Sequence, residues 1–486
     1  MKLFVIGLLI LLGGYAVYGR FVEKALEPDD RETPAVSLRD GVDFMILPHW
    51  KNMLIQLLNI AGIGPVIGVI LGIKFGVIAF VIIPVGNIIG GAVHDFLSGM
   101  MSLRSGGANL PEIIKENIGK RFSVFFSAFM IFLLLLVVAV FINVPAQLVG
   151  GIIPGRSVFW IAVAVIFAYY IVATLFPVDK IIGMCYPFFG ALLLLGTLAV
   201  FCGMIVKLIN APQLLDESAA FRERMFSAEK GQPIIPMLFV TIACGILSGF
   251  HATQSPIIAR TMASEKQARP AFYGMMVVEG FIAMIWAGAA LMIYNLFPQL
   301  MAKVPGKVLG DITGFFLGKY AGTITVVSVI ILAVTSGDTA MRSLRLSLAE
   351  IVRMPQKKIA NRVILCLPLI VVVALLLWWS NLSASTFNQL WNYFAWGNQV
   401  LASCTLAAGA IWLGVRNKSI WIAWLPGAFI SFVVITYILW ISPAHHGPAG
   451  VGLDLDYAYL LAGFVVVILT MMVRERIDDL KGDLKH

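Results

Sequence analysis

The chain has 486 residues, 60% of them hydrophobic and 13% charged, with a net charge of +9. Soluble domains carry roughly 45–50% apolar and about 25% charged residues, so this composition excludes an ordinary soluble enzyme and places the chain in lipid. The basic excess is not a nucleic-acid signal, because Lys and Arg sit in the connections between apolar runs, where the positive-inside bias gathers them.

Apolar runs of about 20 residues cross a hydrocarbon core of roughly 30 Å. Such runs predict about 13 transmembrane helices, near 3–19, 53–73, 76–103, 122–148, 157–176, 181–206, 235–264, 273–297, 321–341, 362–380, 390–413, 420–441 and 457–473. The first is read as an extra N-terminal span (1–19) rather than a signal peptide, because no small-x-small cleavage site follows it. Next come a polar segment (20–52), a ten-helix core (53–413), two additional spans (414–473) and a loosely ordered tail (474–486). Most of the 35 basic residues fall on the face that holds 20–52, the 104–121 loop, the 342–362 stretch and the tail. That face is expected to be cytoplasmic, with the N-terminus outside and the C-terminus inside. Cys185, Cys202, Cys244, Cys366 and Cys404 all lie in apolar runs without metal-ligand spacing and read as packing residues.

Two spans are interrupted deep inside their apolar runs. The first reads Asn59-Ile60-Ala61-Gly62-Ile63-Gly64-Pro65 and the second Ser248-Gly249-Phe250-His251-Ala252-Thr253-Gln254-Ser255-Pro256. Unpaired backbone costs several kcal/mol in lipid, so a break at that depth marks a place where protein or a water-filled cavity satisfies it. Proline suits the first turn of a new helix, so the spacing predicts restarts at Pro65 and Pro256, the latter capped by Ser255. The stretches 236–247 and 256–263 cover roughly 18 Å and 12 Å, about half a bilayer each. A half-helix beginning there offers N–H groups and a positive dipole end to an anion such as a carboxylate, and the carbonyls ending the preceding half suit a cation. The two broken spans enter from opposite faces. This predicts a LeuT-like inverted five-plus-five repeat of 53–207 and 235–413; two ordinary proline kinks are the plainer alternative. Asn59, Gly62, Gly64, Ser248, Gly249, His251, Thr253, Gln254 and Ser255 are then expected to meet substrate.

Other polar residues within spans divide between function and structure. Thr335 and Ser336 can join the Ala61 carbonyl around a sodium ion, while Asp338 either helps them or pairs with Arg342 one turn on. His94 and Asp95 stand in apolar sequence and form either a proton-binding pair or a structural one. Glu279 reads as interfacial. Asn388, Asn392 and Gln399 recur on one helical face beside Trp391 and Trp396, as interhelical glue or as part of a pathway. His445 and His446, between prolines in an outer loop, are assigned no metal role.

The stretches Gln56 to Pro65, Gly90 to Gly99 and Gly249 to Pro256, with Ile257 to Gly274 following, resemble the carbon starvation protein A family of membrane transporters. The resemblance runs from about Arg20 to Gln399. It implies ion-gradient-driven uptake of peptides or pyruvate when preferred carbon sources run out, in a bacterial or archaeal cytoplasmic membrane. This chain is shorter than the longest members, and Asn392 stands where the resemblance implies a basic residue. The expected function is therefore a proton- or sodium-coupled symporter of a small carboxylate-bearing nutrient, with no cofactor beyond the coupling ion. A channel and a nutrient sensor are the alternatives. A membrane-embedded enzyme finds no GxSxG or HExxH arrangement to support it.

Overall fold

The computed structural model describes residues 1–41, 43–153, 155–175, 178–217, 232–302, 305–445 and 447–483; His446 and the last three residues of the tail lie outside them. Among the described residues every regular element is helical. Eleven helices among those residues are long and apolar enough to cross a membrane, and a bent pair makes twelve. The protein is therefore a multi-span helical membrane protein.

In chain order the helices are α1 (Lys2–Leu26), α2 (His49–Ile60) and α3 (Gly64–Phe75), the last two bent by 54° at their junction. Then come α4 (Ala79–Arg104), α5 (Leu110–Asn117), α6 (Lys120–Ile152), α7 (Arg156–Leu175) and α8 (Val178–Asn210). A run of short helical turns at 234–246, labelled α9, leads into α10 (Gly249–Ala259). The remainder are α11 (Glu265–Leu296), α12 (Pro305–Val352), α13 (Ile359–Ser380), α14 (Ala384–Val415), α15 (Trp421–Trp440) and α16 (Leu455–Asp483).

Hydrophobic patterning sorts these helices by depth. α13 exposes Ile364, Leu367, Val371, Leu375 and Trp378, and α16 exposes Tyr457, Leu460, Phe464, Val467 and Met471, at the spacing of one lipid-facing stripe each. α6 and α11, in contrast, are buried over most of their length, and α6 packs along α12. α1 lies against α4 and α11, where glycines let the backbones approach: a Cβ at Gly7 would fall 2.7 Å from the Phe80 carbonyl oxygen.

The 321–341 span is one part of α12. Gly318 adopts φ +75°, a left-handed conformation that glycine tolerates without cost. There the chain turns back on itself, so that a Cβ on Gly322 would meet the Thr313 carbonyl at 2.9 Å. At its other end α12 runs on through the stretch expected to be a basic loop. Arg342 and Arg345 are buried, and with Arg362 they cap the exposed carbonyl end of α7: Arg342 donates to the Ala173 carbonyl (2.8 Å), Arg345 to Thr174 Oγ1 (3.3 Å) and Arg362 to the Leu175 carbonyl (2.8 Å). Cations at a helix C-terminus meet the negative end of its dipole. The tail expected to be loose continues α16 as helix through Asp483.

The 20–52 segment is tied to the far end of α10. Met45 N–H donates to the Arg260 carbonyl (3.1 Å) and Leu47 N–H to the Thr261 carbonyl (3.0 Å). Asn52 on α2 donates to the Thr261 carbonyl (3.0 Å) and accepts from Thr261 Oγ1 (2.8 Å). Close by, buried Glu265 binds Arg104 at 2.9 Å.

Candidate functional site

The first break lies where the sequence places it. α2 ends at Ile60, Ala61 leaves helical geometry (ψ +62°), and α3 begins at Gly64 with Pro65 in its first turn. Glycine is required here by packing: a Cβ at Gly64 would sit 1.9 Å from Cys244 Cβ, and one at Gly62 would be 2.8 Å from the Phe141 ring.

The second break falls earlier than expected. Leu247 and Ser248 are extended, with ψ of 113° and 122°, and α10 starts at Gly249. Pro256 is inside α10 and Ser255 is no cap; its hydroxyl instead lies 2.7 Å from Ser98 Oγ on α4. The cause is α14. A Cβ at Gly249 would come within 2.4 Å of Ala402 N and the Asn398 carbonyl oxygen, so the only backbone that can cross α14 here is glycine. Asn398 then caps α10 from outside. Its Oδ1 accepts the Phe250 N–H (2.8 Å), while its Nδ2 lies 3.5 Å from Cys244 Sγ across the gap. Neighbouring Gln399 donates to the Phe239 carbonyl on the other side (2.8 Å). α14 thus holds α9 and α10 on either side of the break.

Between the breaks lies a chain of ionisable groups. His94 Nδ1 is 2.8 Å from Asp95 Oδ1, His251 Nδ1 is 3.1 Å from Asp95 Oδ2, and His251 Nε2 is 3.9 Å from Glu279 Oε2. All four residues are at most 1% exposed. Glu279 is therefore not interfacial: α11 begins near Glu265, which carries Glu279 deep into the bundle, and neither of its carboxylate oxygens has a hydrogen-bond donor. Asn87 sits against the next residue, Gly280, and donates to the Met276 carbonyl (2.9 Å), fixing α4 to α11.

Several buried amides and hydroxyls around this chain also have unused polar atoms: both side-chain atoms of Gln56 and of Asn59, the Ser248 hydroxyl, and one oxygen each of Gln254 and Gln399. Gln254 Nε2 is engaged by Thr253 Oγ1 (2.8 Å) and by Ser343 on α12 (3.2 Å). Buried polar groups in folded proteins are nearly always paired, so such a concentration marks a place where water, an ion or a solute belongs.

The remaining expected residues divide. Ser336 reaches the first break and donates to the Leu58 carbonyl (2.9 Å), whereas the Thr335 hydroxyl donates back to Leu332 on its own helix (2.9 Å). Buried Asp338 faces α7 instead, accepting from the Tyr169 hydroxyl (3.2 Å). Asn388 is exposed and Asn392 half-buried beside Tyr393, whose hydroxyl donates to Ala449 in the 441–454 loop. Neither joins the breaks. His445 stacks on Trp440 with ring centroids 4.5 Å apart. Among the described residues no group of three or more His, Cys, Asp or Glu is placed to hold a metal ion. Gln56, Asn87, Glu279 and Asn398 are the site residues that sequence reasoning missed. Only Glu279, an ionisable residue in an apolar run, carried a signal by itself.

An all-helical bundle with this interior has the fold of membrane transporters. A manganese transporter of Eremococcus coleocola superposes with a TM-score of 0.54 at 12% identity, over 92% of this chain and 99% of that one. A Na+-coupled sialic acid symporter gives 0.53 at 12% identity, over 96% and 98%. The family model described as carbon starvation protein CstA matches residues 1–165, 156–313 and 298–437. The chain belongs to that family, whose members are transporters rather than enzymes. Among its relatives is an uncharacterised membrane protein of Haemophilus influenzae, 41% identical over 59% of this chain and 89% of the other. The peptide transporter CstA of Bacillus subtilis is 24% identical over 94% of both chains. The pyruvate/proton symporter BtsT of Escherichia coli is 29% identical over 58% of this chain and 48% of its own length.

Proposed function

We propose that this protein is a proton-coupled secondary transporter that imports a small carboxylate-bearing nutrient, pyruvate or a short peptide, across the bacterial inner membrane. The observation that carries the reading is the gathering of unpartnered buried polar atoms around two helix breaks that adjoin a histidine–carboxylate chain. The substrate carboxylate sits at the positive end of α10, beside the Ser248 hydroxyl. Gln56 and Asn59 face the rest of the solute from α2, and Gln254 from α10. The coupling proton binds within the chain of His94, Asp95, His251 and Glu279. α2–α3 and α9–α10 are each one broken span, which gives 13 crossings and the inverted repeat of 53–207 and 235–413. Alternating access is then a rocking of the broken spans against the rest, with the basic-rich face inside. The peptide transporter CstA and the pyruvate/proton symporter BtsT among the relatives support both substrate classes.

Sodium is the second reading for the ion, favoured by the Ser336 hydroxyl against the carbonyl end of α2. Purified protein in liposomes decides. Uptake of radiolabelled pyruvate and of dipeptides is measured under an imposed proton gradient, an imposed sodium gradient, and neither. Concentrative, saturable uptake with the proton gradient is expected, and Gln254→Leu should raise the KM. Uptake that never exceeds equilibration would make the protein a channel, and concentrative uptake driven by sodium alone would move the coupling site to Ser336.

A further inference from the structure

The proton needs an address within the buried chain, and hydrogen-bond direction supplies one. An ionised carboxylate only accepts, and both oxygens of Asp95 face an imidazole Nδ1, one from His94 and one from His251. Both rings therefore carry a hydrogen on Nδ1. In a neutral ring of that tautomer Nε2 bears a lone pair, and His251 Nε2 points at Glu279 Oε2, 3.9 Å away. A lone pair and a carboxylate oxygen repel unless one proton lies between them, on the nitrogen or on the oxygen. The other titratable groups facing Glu279 are Asp95 from α4 and the Cys244 thiol from α9. No Lys or Arg forms an ion pair with Glu279 among the described residues. A second unpaired negative charge beside Asp95 would be strongly unfavourable in a dry interior, so this proton is required while the site is closed.

We infer that Glu279 and His251 Nε2 together bind the transported proton, and that His94–Asp95 is the fixed part that sets the tautomer of His251. This rests on the proton-coupled reading above. On release the O–H or N–H bond between the pair breaks heterolytically and the proton passes to water. The Glu279 carboxylate left behind no longer holds α10 against α11, so the broken span is freed to move. Binding joins the unbroken α11 to the broken span and release parts them, which links protonation to access.

The test compares proton-driven accumulation with substrate counterflow in liposomes. The wild type should accumulate substrate, faster as the outside pH falls. Glu279→Gln should lose accumulation, its ratio falling to about 1, the value for uncoupled equilibration. It should keep counterflow, which becomes insensitive to pH. His94→Gln should slow transport yet leave it proton-driven. Accumulation by Glu279→Gln with the pH profile of the wild type would overturn the inference while leaving the transport reading intact. A wild type that ignores the proton gradient would instead remove the transport reading. Should Glu279→Gln fail to assemble, Glu279→Asp decides, since it keeps a titratable group one methylene further back. A displaced pH profile supports the assignment, and an unaltered one refutes it.

Discussion

Replacing Gly64 by alanine puts a methyl carbon 1.9 Å from Cys244 Cβ and 2.7 Å from Cys244 Sγ, where carbon atoms normally keep about 3.5–4.0 Å. One of the two broken spans must yield by roughly 2 Å, so the cost belongs at the upper end of overpacking, about 3 kcal/mol. The clash is with a side chain, and it can therefore be relieved. Cys244→Gly removes both atoms and leaves Cys244 Cα as the nearest neighbour at 3.4 Å, at a helix-propensity cost of about 1 kcal/mol. The double variant should thus be about 2 kcal/mol more stable than Gly64→Ala alone, with a coupling of about 3 kcal/mol. Gly249→Ala serves as the contrast, because its clash is partly with backbone atoms of α14 that no trimming removes. The assay is thermal denaturation of the purified protein in detergent together with uptake in liposomes. The expected order of midpoints is wild type, double variant, Gly64→Ala. A Gly64→Ala protein as stable as the wild type, or one that Cys244→Gly leaves unimproved, would refute the claim that the breaks touch at this point.

Gln56→Leu and Asn59→Leu, which remove amides without partners, should leave the melting midpoint unchanged or raised while weakening substrate binding measured by calorimetry; a fall in the midpoint would show that these amides are structural. Asn398→Leu strips the Phe250 N–H of its acceptor and should cost about 1–3 kcal/mol in the same denaturation assay, whereas an unaffected midpoint would mean that α10 needs no cap from α14. Arg104→Met leaves Glu265, 1% exposed, with the Asp29 N–H at 3.3 Å and a long contact to Arg31 at 3.7 Å, and should destabilise by about 3 kcal/mol. A milder loss there would mean that water reaches Glu265.

What the sequence makes legible follows from how local each cause is. The first break is readable because its reasons sit within it: two glycines and a proline within four consecutive residues. The second is misplaced because proline looks like a start signal, while the true determinant is Gly249 under α14, whose contact residues lie about 150 positions away in the chain. Proline at 256 is tolerated late in α10. Asn398 escapes notice for the same reason, since a cap supplied by another helix leaves no pattern in the sequence it caps. The Asn388, Asn392 and Gln399 stripe has the correct helical spacing, yet only its inner end meets the broken span. His94, Asp95 and His251 stand out by charge alone, but their joining through Asp95 is a property of the packing of α4 on α10. Glu279 is misjudged by an error in where its helix begins.

The backbone bonds from Met45 and Leu47 to the Arg260 and Thr261 carbonyls, with the Asn52–Thr261 pair beside them, fasten the end of α10 to the start of α2. Neither rod can swing there by itself. In the transport cycle proposed above they turn as one leaf about 61–63 and 247–248, so a push delivered to either seam turns the whole leaf and a solute pressing on one side is felt on the other.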